Sequence, residues 1–354
     1  MELTTEISVS KISRSKIHEV DFTNLEFGKY TSDHMLVCDF AAGEWQTPHI
    51  LPFANLSLSP TALALHYGQT VFEGMKAFRM TDGRTNIFRM EKHYQRMTKS
   101  LDRMCMAVVP KEIFEEGLRA LVAIDRSWVP DQPGSALYLR PFEFATENRF
   151  GVKVSEEYRF VIFTGPVGNL YTRRIKVKAE TQYIRAAKGG TGFTKCGGNY
   201  GGAFYATQQA RKEGYDQVLW TDARDNRFIE ESGMMNVMFV IDGILITPPV
   251  SETTLDGVTR DSLLTLAGEM GIQTEIRRIS TDEIENAFRQ NTITEAFGVG
   301  TAAVVLPMGV IGINGIDHQL PEYNSSSVQN KLKSKLDLIR SGEAEDIYGW
   351  NDII

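Results

Sequence analysis

Apolar and polar positions recur with two different periods along this chain. MEKHYQRMTKSLDRM (90–104) and KEIFEEGLRALVAIDRSWV (111–129) place apolar residues three and four apart, which predicts two helices. FYATQQARKEG (204–214) and TRDSLLTLAGEMG (259–271) follow the same period, the second stopping on a glycine. LALHYGQTVFEGMKAFR (63–79) predicts a helix, then a turn at Glu73-Gly74, then a strand. Short apolar runs predict strands at TNIFRM (85–90), ALYLRPFEF (136–144), YRFVIFTGP (158–166) and DQVLWTD (216–222). TDG (81–83) is a hairpin-type turn, and NVMFVIDGILITPP (236–249) folds back around Asp242-Gly243.

Strands and helices mix without a steady βαβ alternation, so the expected class is α+β rather than a doubly wound sheet. At GPVGNLYTRR (165–174), Gly, Pro and Asn interrupt two apolar runs. This predicts a smaller N-terminal domain over 1–165, a linker over 166–176 and a larger C-terminal domain over 177–354. A length of 354 residues agrees with two domains. No fixed-period repeat marks a solenoid.

Composition narrows the partners. A formal charge of -7 offers no basic surface for nucleic acid. Cys38, Cys105 and Cys196 are far apart and odd in number, which fits a reducing compartment. No run of ~18 apolar residues predicts a membrane span, and MELTTEISVSKISRSK lacks a signal core. The cytoplasm is the expected location.

Several chemistries fail on inspection. GGTGFTKCGG (189–198) resembles a phosphate loop, but Lys195 is preceded by Thr194 and followed by Cys196, where that motif needs Gly and Ser or Thr. No GxGxxG follows a strand, no HExxH or cysteine cluster suggests zinc, and no GxSxG elbow is present. Lys195 itself, between Gly192 and the run Gly197-Gly198-Asn199-Tyr200-Gly201-Gly202, occupies a loop through which backbone can pass close to a ligand. Such a lysine is ordinarily solvated; shielded from water, its amine can form an imine.

Glu230 and Glu231 interrupt a strand pattern in FIEESGMMNVMFV (228–240). A pair like this ordinarily sits in a solvated turn, but one buried carboxylate there suits the pyridine nitrogen of pyridoxal phosphate, which must stay protonated as an electron sink. Asp256-Gly257-Val258-Thr259 opens a helix whose free N–H groups suit an anion. Arg89, Lys92, Arg96, Lys99 and Arg103 form a row that is ordinarily a solvated face, from which one member can turn inward to a phosphate.

These segments resemble the branched-chain amino acid aminotransferases, pyridoxal-phosphate enzymes of fold type IV. The matches run in order from about Leu25 to about Pro307: LEFGKYTSDHML (25–36), ALHYGQTVFEGMKAFR (64–79), LYLRP (137–141), GPVG (165–168), FTKCGGNYGG (193–202), EESGMMN (230–236), LDGVTRDSLL (255–264) and EAFGVGTAAVV (295–305). The resemblance implies a two-domain α+β fold like that of D-amino acid aminotransferase, with the cofactor between the domains. Lys195 then matches the Schiff-base lysine that moves a proton between Cα and C4′. Tyr200 matches the partner of the cofactor's phenolic oxygen, Glu231 rather than Glu230 the pyridine-nitrogen carboxylate, and Arg96 the phosphate arginine. Val258, Thr259 and Thr301 complete the implied phosphate site.

The same resemblance assigns the substrate pocket to Phe27, Tyr67, Phe72 and Tyr138, with Arg140 nearby and Ala302 beside Thr301 at the α-carboxylate. Aromatic walls suit leucine, isoleucine and valine, and Arg140 or a tyrosine hydroxyl suits the distal carboxylate of glutamate or 2-oxoglutarate. A homodimer is implied, with Phe150-Gly151-Val152 reaching the partner's pocket. Met234 replaces a threonine of many mammalian relatives, Ala303 and Leu306 stand where those have a CxxC pair, and Leu170 or Tyr171 lines one edge. The rival expectations are another fold-type IV enzyme (D-amino acid aminotransferase or aminodeoxychorismate lyase), a non-catalytic pyridoxal-phosphate protein, and a nucleotide-binding enzyme.

Overall fold

The structure is a computed structural model and describes residues 6–168 and 173–354. In chain order its first part comprises β1 (Ser8–Val9), β2 (His34–Ala41), β3 (Glu44–Trp45), β4 (His49–Pro52), α1 (Leu63–Tyr67), β5 (Thr70–Phe72), β6 (Met75–Arg79), β7 (Thr85–Phe88), α2 (Met90–Arg103), α3 (Lys111–Ile124), β8 (Ala136–Ala145) and β9 (Tyr158–Val167). There follow β10 (Ile175–Glu180), α4 (Gly197–Lys212), β11 (Gln217–Thr221), β12 (Ile229–Ser232), β13 (Asn236–Ile241), β14 (Ile244–Thr247) and α5 (Val258–Glu269). The last are β15 (Thr274–Ile276), α6 (Thr281–Arg289), β16 (Ile293–Gly300), β17 (Val304–Ile313), β18 (Ile316–Gln319), α7 (Val328–Ser341) and β19 (Asn351–Ile353). The chain forms two compact units, one of Met1–Leu170, Thr194–Gly198 and Ile339–Ile354, the other of Tyr171–Phe193 and Asn199–Leu338. Of the expected linker, 169–172 lie outside the described residues, so the pocket edge assigned to Leu170 or Tyr171 does too.

Among the described residues, the first unit holds a ten-stranded sheet ordered β1-β4-β2-β9-β8-β6-β7-β19, with β3 on β2 and β5 on β8. Strand periodicity sorts β8 cleanly. Leu137, Leu139 and Glu143 are fully buried, whereas Tyr138, Arg140 and Phe142 are half-buried. Leu137 and Leu139 join Leu36, Phe114 and Leu121 in the core, each such side chain contributing ~1.5–3 kcal/mol by burial. On α2 the helical period buries His93, Arg96, Met97, Ser100 and Leu101, and leaves Lys99 and Arg103 exposed.

The second unit holds, among its described residues, a nine-stranded sheet ordered β12-β11-β10-β17-β16-β13-β14-β15, with β18 on β17. The β13–β14 hairpin turns at Asp242 (φ 51°) and Gly243 (φ 76°), both left-handed as a type I′ turn requires. Ala203, Ala206 and Ala210 line the face of α4 that packs on Val218 and Trp220 of β11. The result is the expected α+β architecture.

Two element boundaries differ from the pattern. The helix expected from residue 63 stops at Tyr67, because Gly68 takes a left-handed φ of 69° and β-branched Thr70 and Val71 begin β5. The glycine run after Lys195 is helix rather than loop: α4 begins at Gly197, ahead of the expected 204. Propensity argues against glycines in a helix by roughly 1 kcal/mol each, and tertiary packing overrides it here. A Cβ on Gly197 would come within 2.8 Å of Thr70 Cγ2.

Candidate active site

In the first unit, Lys195 is fixed by its backbone before it does any chemistry. Its N–H donates to Ser100 Oγ at 3.0 Å, and its carbonyl accepts from the Phe72 N–H at 3.1 Å. An isolated β-bridge between Val71 and Cys196 continues this pairing. The side chain lies over the Phe72 ring, Nζ 4.9 Å from the centroid. Arg140 stacks against the same ring at 4.9 Å and donates from Nη2 to the Tyr138 hydroxyl at 3.1 Å. Tyr138 meets Phe27 edge-on, with ring centroids 5.0 Å apart. Lys195, Phe72, Arg140, Tyr138 and Phe27 therefore form one contiguous row. Arg140 Nε is buried with no hydrogen-bond partner. Tyr67 sits apart from this row, its hydroxyl donating to the Phe150 carbonyl.

Arg96 is buried on α2 beside Glu73, a residue the sequence marked only as part of a turn. Nε and Nη2 of Arg96 donate to Oε1 and Oε2 of Glu73 at 2.7 and 2.9 Å. His93 Nδ1 lies 2.7 Å from Glu73 Oε2, and the Gly74 N–H donates to the same oxygen at 3.1 Å. Burial pushes the Glu73 carboxyl up, but Arg96 and His93 overcome this and hold it below the usual carboxylate range. Burial lowers His93, which leaves it neutral and able to donate from Nδ1. Ser100 ties the group to Lys195, donating to the Arg96 carbonyl at 3.0 Å while it accepts from the Lys195 N–H.

In the second unit, strand β12 delivers Glu231 to a buried position, 3% exposed. Its Oε1 accepts from the Leu255 N–H at 2.7 Å, and Oε2 lies 3.0 Å from Arg185 Nε. Arg185, equally unanticipated from sequence, also donates to the carbonyls of Gly192 and Thr253. Asn236 braces the same loop, donating to the Leu255 carbonyl at 2.9 Å. The loop ends at Gly257, the N-cap of α5, which no side chain caps. A Cβ on Gly257 would fall 1.8 Å from Asn236 Oδ1, so the loop's approach to Asn236 requires glycine. Val258 and Thr259 are buried in the first turn of α5.

Tyr200 lies in the first turn of α4 and is half-buried. Thr301 and Ala302 form the β16–β17 turn, also half-buried. The next strand starts at Val304 with φ 62°, a left-handed conformation costly for a β-branched residue. Met234, in the turn between β12 and β13, is 51% exposed.

The chain matches the amino-transferase class IV family over residues 70–311. It belongs to that family. This class IV aminotransferase is 39% identical over 344 residues to branched-chain-amino-acid aminotransferase 2 of Bacillus subtilis, covering 96% of its own length and 95% of the relative's. Among solved structures, the branched-chain amino acid aminotransferase from Escherichia coli superimposes with a TM-score of 0.72 at 26% identity, covering 90% of this chain and 98% of that one. The branched-chain aminotransferase of the thermophilic archaeon Thermoproteus uzoniensis, solved with norvaline, shares the fold: TM-score 0.74 and 24% identity, covering 90% of this chain and 99% of the other. A further branched-chain amino acid aminotransferase, solved as its complex with N-(5′-phosphopyridoxyl)-L-glutamate, matches with a TM-score of 0.71 at 23% identity, covering 90% of this chain and 97% of that one.

Proposed function

We propose that this class IV aminotransferase moves the amino group of L-leucine, L-isoleucine or L-valine to 2-oxoglutarate, reversibly and by a ping-pong route, using pyridoxal 5′-phosphate. The observation that carries this reading is the row from Lys195 through Phe72, Arg140 and Tyr138 to Phe27: an amine, an aromatic wall and a guanidinium in sequence. The names of the relatives support the substrate class.

The residues present fit the cofactor. Glu231 is a buried carboxylate suited to a protonated ring nitrogen, and the Leu255–Val258 turn that rests on it leads into an uncapped helix start suited to phosphate. Lys195, Arg96, Tyr200, Glu231, Val258, Thr259 and Thr301 would hold the group. When bound, pyridoxal phosphate supplies an electron sink for the charge left as the substrate Cα proton departs.

The protein's own tasks follow from chemistry at named atoms. Lys195 Nζ carries the proton away from the Cα of the amino donor in the first half-reaction and delivers one to the Cα of the amino acid formed in the second. Phe27, Phe72 and Tyr138, with Tyr67 at the rim, receive the branched hydrocarbon and exclude water, while Thr301 and Ala302 meet the α-carboxylate. Arg140, whose buried Nε lacks an acceptor, takes the distal carboxylate of 2-oxoglutarate. That one pocket accepts both side chains explains why a single guanidinium stands among aromatic rings.

The working form is a homodimer. Phe150 and Val152 are 81% and 82% exposed, an apolar tip of the kind a second copy covers. Three free cysteines suit a reducing, cytoplasmic setting, and among the described residues no helix is long and apolar enough to cross a membrane. Assay of L-leucine against D-alanine with 2-oxoglutarate tests the reading. Glutamate should form from L-leucine, and activity confined to D-alanine overturns the assignment.

A further inference from the structure

Glu230 and Glu231 are neighbours on one strand with different fates, because successive strand residues face opposite sides, and the strand carries a β-bulge at this point. Along the β11–β12 ladder Trp220 pairs with Glu231 and Thr221 pairs with Ile229, so Glu230 is the extra residue with no opposite number. Ile229 and Glu231 are both buried, and Glu230, between them, lines a separate cleft of about 770 Å³ within the second unit. Neither Lys195 nor Glu231 lines that cleft.

Its chemistry is that of a built site rather than a surface dent. Phe228, Pro248 and Pro249 give it apolar walls, and Lys188 and Arg224 stand on it as exposed cations. Arg278 covers the Phe228 ring at 3.6 Å and donates to Asp222 at 3.0 Å. Asp222 is saturated, since it also accepts the N–H groups of Asp225, Arg227 and Phe228. Glu230 is not. Oε1 accepts the Thr253 hydroxyl, but Oε2 is buried with no hydrogen-bond partner. A carboxylate oxygen withdrawn from water and left without a donor is costly, and an ammonium in the cleft, met by rotation of the half-buried Glu230 side chain, removes that cost.

We infer that this cleft is a second small-molecule site that takes an aliphatic α-amino acid as its zwitterion: ammonium on Glu230, carboxylate on Lys188 or Arg224, hydrocarbon on Phe228 and Pro248–Pro249. The site sits one residue from the proposed cofactor machinery. Thr253 offers its hydroxyl to Glu230 and its carbonyl to Arg185, and Arg185 lies against Glu231. An occupant of the cleft therefore pulls on the loop that holds Glu231. Only that consequence rests on the proposed role of Glu231; binding itself does not.

The test is calorimetric titration of L-leucine, and separately of 4-methylpentanoate, into holoenzyme whose cofactor has been fixed to Lys195 by borohydride reduction. Leucine should bind the cleft, with affinity at least 10-fold weaker in Glu230→Gln and several-fold weaker in Lys188→Glu. The exposed Lys188 makes the second variant safe for folding. 4-Methylpentanoate, which lacks the ammonium, should bind at least 10-fold more weakly than leucine. Absence of leucine binding, an affinity unchanged in both variants, or equal affinity for the two ligands overturns the inference. Failure of borohydride to attach a chromophore to Lys195 would instead count against the proposed function, whatever leucine does at the cleft.

Discussion

Glu73 grips Arg96 with both carboxylate oxygens, accepting Nε at 2.7 Å and Nη2 at 2.9 Å at a position with no solvent exposure. A bidentate pair of this kind fixes the plane and reach of the guanidinium before any phosphate arrives. Removing one partner of a buried pair typically costs about 3–5 kcal/mol, because the other charge stays buried and uncompensated. Glu73→Gln should therefore lower the urea midpoint strongly and shed pyridoxal phosphate faster on gel filtration. A variant with wild-type stability and wild-type cofactor retention would show that Arg96 needs no such support.

The pair also fixes a pH dependence. The folded state holds Glu73 below its unfolded range, so its stabilising contribution is present above about pH 4.5 and declines as pH falls below that toward the depressed folded value. The stability difference between wild type and Glu73→Gln, followed by near-ultraviolet circular dichroism in urea, should therefore shrink on acidification. A difference that stays constant well below the unfolded range would show that Glu73 is not held ionised by its partners.

Glu143 behaves in the opposite sense. It is fully buried on the core side of β8, both oxygens lack hydrogen bonds, and burial pushes its carboxyl up to about 9. The folded protein therefore keeps the proton that the unfolded chain releases near pH 4.5. Its contribution is complete below that pH and is lost progressively as pH rises to about 9, at up to about 1.4 kcal/mol per pH unit. Glu143→Gln should gain in melting temperature over wild type as pH goes from about 6 to about 9. A gain independent of pH would show that Glu143 is not protonated in the folded state.

Gly74 faces the Tyr138 hydroxyl so closely that a Cβ would lie 1.9 Å from it. Gly74→Ala should displace that ring and break its hydrogen bond with Arg140, raising KM for 2-oxoglutarate. Gly257→Ala, which meets Asn236 Oδ1 instead, should weaken cofactor binding and leave the KM ratio of leucine to 2-oxoglutarate alone. Steady-state kinetics on both variants distinguishes the two effects.

Arg140→Met keeps an unbranched apolar stem but loses the guanidinium and its charge. If Nε and its neighbours bind the distal carboxylate, KM for 2-oxoglutarate should rise on the order of 10-fold or more, the worth of one charged hydrogen bond. The single-turnover rate with L-leucine should change far less. Equal losses for both substrates would mean that Arg140 only packs the pocket.

Much of this architecture was legible because local patterns and tertiary packing agree. The helix at 90–104, the strands flanking Pro141 and Gly165, and the Asp242-Gly243 hairpin all follow from periodicity and turn chemistry. Disagreement came where long-range packing decides. Glycines 197–202 read as loop, yet they open α4, whose first residue, Gly197, lies too close to Thr70 for any side chain. Glu73, Arg185 and Asn236 carried no periodic signal. Each acts by reaching across the chain, to Arg96, Glu231 and Leu255, contacts that no local window contains. Glu230 was visible as half of an acidic pair, but the cleft it lines is assembled from segments distant in sequence, among them Pro248, Thr253 and Arg278.

Lys195 stands at the centre of the proposed chemistry, pinned by Ser100 and Phe72 with its amine over an aromatic ring. The most direct measurement is the visible spectrum of the purified protein beside Lys195→Ala, before and after L-leucine. Wild type should carry a visible band that L-leucine depletes, and Lys195→Ala should lack that band. A wild-type band that persists unchanged in Lys195→Ala would contradict the assignment of this lysine.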